Sequence, residues 1–132
     1  MTQRNIDVMD IIVSKMAEGK TLSKALKLVY TKRNVAIPYC DEMFDIPLTQ
    51  LNLSLRSRNT LARTNFNTIN DVIRFKEYDD FKSMKGFVRS AYIELFEKIL
   101  DYSWDCLSKQ AKTDFLIDVV ERNSNNIRAE IA

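Results

Sequence analysis

The chain has 132 residues, of which 45% are hydrophobic, and its 20 basic and 18 acidic residues leave a formal net charge of +2. It has no histidine and only two cysteines, which excludes a Ser-His-Asp triad and a zinc site built from cysteine and histidine. No apolar run approaches the roughly 18 residues of a membrane span, and no glycine-rich phosphate loop occurs. We therefore expect a cytoplasmic protein that is not an enzyme and that needs no cofactor or metal.

Glycine and proline occur only twice each, which is too few for the many turns of an all-β protein. We expect an all-α fold in which a central helix-hairpin-helix-like module is flanked by an N-terminal helical hairpin and a C-terminal helix, forming one compact unit. The predicted segments are 1–45 for the hairpin and an extended connector, 46–102 for the module, and 103–132 for the last helix and tail. The well-separated Cys40 and Cys106 are expected to be buried free thiols.

Two helices are predicted in the first segment. Asn5 is expected to cap the first helix and Gly19 to end it, and Thr21 is expected to cap the second. Apolar residues recur at helical spacing in both helices. Residues 34–47 interrupt this period, and their two prolines favour extended backbone before them, so they are predicted to form a connector.

Shorter helices are predicted in the rest of the chain. Leu51, Leu53 and Leu55 alternate with polar residues, which is typical of an extended lead-in, and Ser57 is expected to begin a helix. The polar tail after residue 123 is expected to fray. Further helices are predicted from Thr68, over 76–81, over 87–102 and over 108–123.

Charge is distributed unevenly along the chain. Residues 1–33 and 54–89 each have a balance of +4, whereas residues 34–53 and 90–132 each have a balance of −3. Because salt screens charges beyond about 8–10 Å, a polyanion responds to the local balance. The segment 54–89 is therefore a candidate phosphate-binding surface, although a solvated basic face without a partner would show the same pattern.

From Leu51 to Leu61, leucines and polar residues follow one another in a fixed order that forms a recognisable motif. The sequence reads IPLTQLNLSLRSRNTLARTNFNTINDVIRF and, a little later, EYDDFKSMKGFVRSAYIEL. The first block contains L-x-L-[ST]-[LV]-R-S-x-N-x-L, met in order by Leu51, Leu53, Ser54, Leu55, Arg56, Ser57, Asn59 and Leu61. From Ile46 to about Leu100, the protein resembles the C-terminal domain of the bacterial RNA polymerase alpha subunit. We expect a stand-alone small protein that carries this module.

The resemblance implies DNA binding and the residues that perform it. In that family the matching arginine enters the minor groove at A·T-rich sequence and the asparagine contacts the adjacent backbone, which implies these roles for Arg56 and Asn59. The glycine turn and the next helix start contact phosphate there, with one residue inserted after Gly86 in this protein. The expected DNA-binding set is Arg56, Arg58, Asn59, Lys85, Gly86, Arg89 and Ser90.

General physical chemistry supports the same assignment for Arg56. A narrow A·T minor groove has an enhanced negative potential that suits a guanidinium, and helix N-termini offer free amides to phosphate. A surface ion pair of Arg56 with Asp71 or Glu77 is the alternative.

In the family, acidic residues of the lead-in meet the promoter-recognition subunit, and the corresponding positions here are the uncharged Thr49, Gln50 and Asn52.

Two functions are considered. The first is a DNA-binding transcription regulator from a bacterium or phage, with double-stranded DNA as partner. The second is a protein-interaction module that mimics the alpha domain and binds RNA polymerase or an activator through Trp104 and the acidic C-terminal helix. A homodimer is also considered, and two apolar helix faces could form its interface. The alternative for both faces is that they pack inside the protein as its core. Those faces are Phe115, Leu116, Val119 and Val120, or Val8, Ile12 and Met16.

Overall fold

The computed structural model describes residues 1–38, 43, 45–64, 66–73 and 89–131. No strand occurs in these ranges, and helices dominate them, so the all-α prediction is confirmed. None of the described helices is both long and apolar enough to span a bilayer. The described helices are α1 (Gln3–Ala17), α2 (Leu22–Val29), α3 (Leu55–Ala62), α4 (Ile69–Ile73), α5 (Arg89–Cys106) and α6 (Lys109–Arg122), with a short 3-10 helix at Leu48–Leu51.

The protein divides into two units. Unit 1 comprises Met1–Pro38 and Trp104–Ala132, and unit 2 comprises Tyr39–Ser103. The predicted N-terminal hairpin and C-terminal helix therefore share unit 1. The predicted DNA-binding module corresponds to unit 2.

Unit 1 is built on a helical hairpin that closes at Gly19. Gly19 has a φ of +100°, a left-handed conformation that glycine adopts without steric cost, and α1 ends two residues earlier. The hydroxyl of Thr21 accepts a hydrogen bond from the Lys24 amide at 3.3 Å, so Thr21 caps α2 as predicted. Helix α1 packs against both α2 and α6.

The core of unit 1 contains the two faces that were considered for a homodimer. Val8 and Ile12 of α1 are buried, as are all four apolar residues of the α6 face, whereas Met16 is partly exposed. These side chains bury their apolar surface within the unit, so the intramolecular alternative accounts for both faces. The buried α6 residues are Phe115, Leu116, Val119 and Val120.

Helix α1 is capped by a different residue than predicted. The hydroxyl of Thr2 accepts a hydrogen bond from the Asn5 amide at 3.1 Å, which makes Thr2 the N-cap. The Asn5 side chain is buried and donates to the Ser124 hydroxyl at 3.0 Å. The prediction for Asn5 was wrong because this asparagine has a distant partner rather than the local one that a cap requires.

The polar C-terminal tail is ordered, contrary to the prediction that it frays. It pairs with the end of α2 through an antiparallel bridge between Tyr30 and Ile127. The Thr31 amide donates to the Asn126 carbonyl at 2.8 Å, and the Arg128 amide donates to the Val29 carbonyl at 2.9 Å. Backbone hydrogen bonds to α2 therefore hold a segment whose own composition is polar.

Leu48–Leu51 of unit 2 form a 3-10 helix where an extended lead-in was predicted. Asn52, whose φ is 53°, ends this helix in the left-handed region that asparagine tolerates. Leu51 and Leu53 are buried, but Leu55 is 64% exposed, so alternation does not continue into α3. An antiparallel bridge between Pro47 and Thr68 joins the lead-in to the start of α4.

The predictions for the second half of the sequence and for the two cysteines have different outcomes. Helix α5 continues to Cys106, beyond the predicted end at 102, and Cys106 is an exposed free thiol rather than a buried one. Helix α6 matches its predicted range, with Ser108 as N-cap. The predicted helix over 76–81, together with Cys40, lies outside the described residues.

Candidate nucleic-acid interface

Helix α3 begins at Leu55, two residues earlier than predicted, and is preceded by a serine cap. The hydroxyl of Ser54 accepts a hydrogen bond from the Ser57 amide at 3.2 Å, which is the usual geometry of an N-cap. The prediction that Ser57 begins the helix was therefore wrong. As a consequence, Arg56 stands in the first turn of α3, on a regular helical backbone.

A carboxylate from α5 fixes this helix start. The Ser54 amide donates to Glu94 Oε1 at 2.6 Å, and the Ser54 hydroxyl donates to Glu94 Oε2 at 2.8 Å. The Ser57 hydroxyl donates to the same Oε2 at 2.9 Å. An anion at a helix N-terminus is stabilised by both the amides and the helix dipole. Glu94 thus joins the N-terminal turn of α3 to α5.

The surroundings of Glu94 favour its charged form. Partial burial alone would raise the pKa of its carboxyl group. The hydrogen bonds from Ser54 and Ser57, with the nearby positive charge of Lys98, outweigh that effect and lower the pKa below its ordinary value. The carboxylate is therefore ionised at neutral pH, when it accepts all three hydrogen bonds.

One side of α3 presents a line of polar and basic residues. Because an α-helix turns about 100° per residue, Asn59 lies roughly 60° from Arg56 and Arg63 only about 20° from it. All three are exposed. The buried residues of α3 are Ser57, Thr60 and Leu61, which lie about 100°, 40° and 140° around the helix from Arg56, in the direction away from Asn59. Arg56, Asn59 and Arg63 therefore form one exposed row, named the α3 row.

The guanidinium of Arg56 is not held in an ion pair within the described ranges. Asp71, one of the two acids considered as its partner, accepts instead the amides of Asn67 and Thr68, at 2.9 and 3.1 Å. The other acid, Glu77, lies outside the described residues. No acidic residue stands between Asp45 and Asp71 in the sequence. The charge contributed by residues 46–70 is therefore positive, while Glu94 of α5 brings one carboxylate to the cap of α3.

Arg58 does not belong to this row. It is exposed, but it lies about 160° around the helix from Arg56. A flat partner that contacts the α3 row along its length would leave Arg58 on the opposite side. The structure thus separates two arginines that the sequence analysis grouped together.

The start of α5 supplies the remaining described residues of the expected set. Arg89 and Ser90 are exposed, and Ser90 lies one helical turn before Glu94 on the same side of α5. Ser90 therefore lies on the side of α5 whose Glu94 is bound to the cap of α3. Lys85 and Gly86 lie outside the described residues.

The exposed basic residues of the α3 row could contact an extended anion. Neither α3 nor α5 has an acidic residue in its first turn. Within the described ranges, no group of three or more acidic or cysteine residues is arranged to hold a metal ion. Exposed basic side chains such as Arg56 and Arg63 are typical of a phosphate-binding surface.

Sequence reasoning missed two residues of this site. Arg63 follows Arg56 by seven positions, a spacing that returns to the same side of a helix and would have revealed it. Glu94 carried no such signal, since it lies 40 residues from Ser54. Only the packing of α5 against the start of α3 brings these two residues together.

Comparison with known proteins agrees with the pattern of residues in unit 2. Residues 39–101, a little under half of the protein, match the family model for the C-terminal domain of the alpha subunit of bacterial RNA polymerase. The match begins seven residues before the stretch identified from the motif and ends one residue after it. No curated protein and no solved structure matches the sequence significantly.

Proposed function

Since residues 39–101 resemble the C-terminal domain of the RNA polymerase alpha subunit, we propose that this protein is a DNA-binding transcription regulator. The matched domain is a non-catalytic DNA-binding domain, which supports a role in binding rather than in catalysis. The observation that carries the proposal is the exposed α3 row, whose leading guanidinium has no carboxylate partner in the described ranges. A bacterial or phage DNA target implies a protein of the cytoplasm.

The proposed contact has a simple geometry. Arg56 enters the narrow minor groove of A·T-rich DNA, where the negative potential is greatest. Asn59 and Arg63 follow along the same side of α3 and contact the sugar-phosphate backbone. Arg89 and Ser90 at the start of α5 contact a neighbouring phosphate. Selectivity is modest and favours A·T pairs, because the minor groove distinguishes A·T from G·C and little else.

Fluorescence anisotropy with A·T-rich and G·C-rich duplexes across a salt series tests this proposal. We expect affinity to fall steeply with salt, since bound phosphates release counterions. Arg56→Ala should weaken binding to the A·T-rich duplex by about tenfold or more. Arg58→Ala is the matched control, because it removes the same charge from the opposite side of the same helix. Equal losses in the two variants, or no binding by the wild-type protein, would contradict the proposal.

The alternative of a protein-interaction module has weaker support. Trp104, one of its expected contact residues, is half-buried, and its ring centroid lies 6.2 Å from that of Phe115. The ammonium group of Lys112 lies 5.4 Å from the same Trp104 ring. These contacts lie within unit 1 and occupy the aromatic surface that a partner would use. Binding to RNA polymerase and formation of a homodimer are still predictions.

A further inference from the structure

A second basic surface lies in unit 1 and shares no residue with the site assigned above. Between Glu18 and Asp41 the sequence contains five basic residues and no acidic one. Two of them, Lys24 and Lys27, are three positions apart and lie on one side of α2, and Lys20 precedes the Thr21 cap. The opposite side of α2 is buried and consists of Leu22, Ser23, Ala25, Leu26 and Val29.

The C-terminal tail adds a further positive charge to this surface. Arg128 Nε donates to the Lys27 carbonyl at 3.0 Å, which fixes a guanidinium beside the last turn of α2. Lys32 is exposed just after the helix, and Arg33 is partly exposed. The α2 surface is defined here as Lys20, Lys24, Lys27, Lys32, Arg33 and Arg128.

Three lysines of this surface, Lys20, Lys24 and Lys32, have little offsetting negative charge in the described part of the protein. Lys20 lies 4.0 Å from Glu18, and both side chains are substantially exposed, so this pair is a weak one. Lys24 and Lys32 have no hydrogen-bond or ion-pair partner for their side chains in the described part of the protein. Surfaces that serve solubility alone usually mix charges of both signs. The stretch between Glu18 and Asp41 has charges of one sign only, which favours a polyanionic partner.

The dimensions and composition of the surface suit a duplex. Helix α2 has eight residues and is about 12 Å long, a length along which DNA presents roughly seven phosphate charges. An anionic membrane is a less suitable partner, since a membrane-bound helix needs an outward apolar face. Leu28, which is 44% exposed, is the one large apolar side chain on the outward side of α2.

We propose that the α2 surface is a second phosphate-binding site, which contacts a part of the double-stranded DNA backbone other than that bound by the α3 row. This inference rests on the proposed function for the identity of the polyanion. Its contacts are to phosphate, so they add affinity and salt dependence without adding sequence preference. Two binding surfaces on one protein raise the affinity for a duplex long enough to meet both, because the second contact is intramolecular.

The test is a salt series of DNA binding with the double variant Lys24→Gln/Lys32→Gln. We expect the slope of log affinity against log salt to become shallower by about 2, since each lost phosphate contact removes about 0.9. The preference for A·T-rich over G·C-rich duplex should stay as in the wild-type protein. Lys109→Gln/Arg122→Gln on α6 is the matched control, because it removes the same charge from another helix, and it should leave the slope unchanged.

The two proposals fail in different ways. A wild-type slope in the lysine variant, or an equal change in the control variant, would overturn the second site and leave the α3 row unaffected. If Arg56→Ala leaves DNA binding unchanged while the lysine variant has a shallower slope of log affinity against log salt, the proposed DNA contact of the α3 row is refuted. The second site is then supported. Binding to phosphatidylserine vesicles that depends on Lys24 and Lys32, with an unchanged DNA slope, would make the surface a membrane contact instead. Circular dichroism of each variant checks that the helices are retained.

Discussion

Glu94 accepts two hydrogen bonds from Ser54, one from its amide at 2.6 Å and one from its hydroxyl at 2.8 Å, although the two residues are 40 positions apart. Ser54 is also the N-cap of α3, two residues before Arg56. The position of the leading guanidinium is therefore tied to α5 through one carboxylate. Loss of that carboxylate would remove three hydrogen bonds from the first turn of α3. We therefore expect Glu94 to affect both the folding stability of unit 2 and the proposed DNA binding.

Removing the Glu94 carboxylate should destabilise unit 2. Glu94→Ala leaves the Ser54 amide and two hydroxyls without their acceptor, and hydrogen bonds to a charged group contribute about 1.5–3 kcal/mol in favourable cases. We expect a loss of about 1–3 kcal/mol in the free energy of unfolding, measured with urea. Asp105→Ala is the control, since Asp105 is an exposed acid on the same helix. A Glu94→Ala protein as stable as this control would show that the three hydrogen bonds contribute little.

The stability of the protein should also depend on the ionisation of Glu94. The pKa of its carboxyl group is lowered in the folded state from the ordinary 4.5, so between the two values the unfolded state binds more protons. The stabilisation is therefore complete above pH 4.5 and is lost as the pH falls through the lowered pKa. Urea unfolding of wild-type protein and Glu94→Gln across this range measures it. We expect the difference between the two proteins to shrink on acidification, and a constant difference would refute the assignment.

Arg63 should contribute to DNA affinity without contributing to sequence preference. It lies on the same side of α3 as Arg56, seven residues further on, where a backbone phosphate rather than a groove is expected. Arg63→Ala should weaken binding to A·T-rich and G·C-rich duplexes by the same factor. The slope of log affinity against log salt should become shallower by about 0.9. A selective loss on the A·T-rich duplex would instead place Arg63 in the minor groove.

Tyr30 should tolerate, and benefit from, the loss of its hydroxyl group. Its side chain is 1% exposed, and its hydroxyl has no hydrogen-bond partner among the described residues. Burial raises the pKa of Tyr30 to about 12, since the charged phenolate is poorly solvated there. Removing an unpaired buried polar group avoids a desolvation cost of about 1–3 kcal/mol. We expect Tyr30→Phe to be at least as stable as wild type and more stable by up to about 2 kcal/mol in urea.

The same tyrosine predicts a change at alkaline pH. Its ordinary pKa is 10.0, so above that value the unfolded state loses the phenolic proton while the folded state keeps it. The stability that this proton provides is present below pH 10.0 and is lost as the pH rises towards 12. Tyr30→Phe should remove this part of the alkaline unfolding. Identical alkaline transitions in the two proteins would mean that the Tyr30 hydroxyl is reached by water.

Local features of the sequence were sufficient for much of the architecture. Apolar spacing predicted α1, α2 and α6, and Thr21 was identified as a cap because a cap and its amide are only three residues apart. Arg56 was identified through the family resemblance that the order of residues from Leu51 to Leu61 carries. Helical periodicity and capping depend on neighbours within about four residues, so the sequence states them directly.

Contacts between distant residues were decided by the tertiary structure. Asn5 is a residue type that often caps helices, but its side chain pairs with Ser124. The polar tail is held by backbone hydrogen bonds to Val29 and Thr31 at the end of α2. Glu94 reaches Ser54 only when α5 packs at the start of α3. Each of these contacts joins groups tens of residues apart, where the choice of partner depends on which surfaces burial brings together. The sequence alone therefore identified the leading residues of the row proposed to meet DNA, and packing determined what holds that row in place.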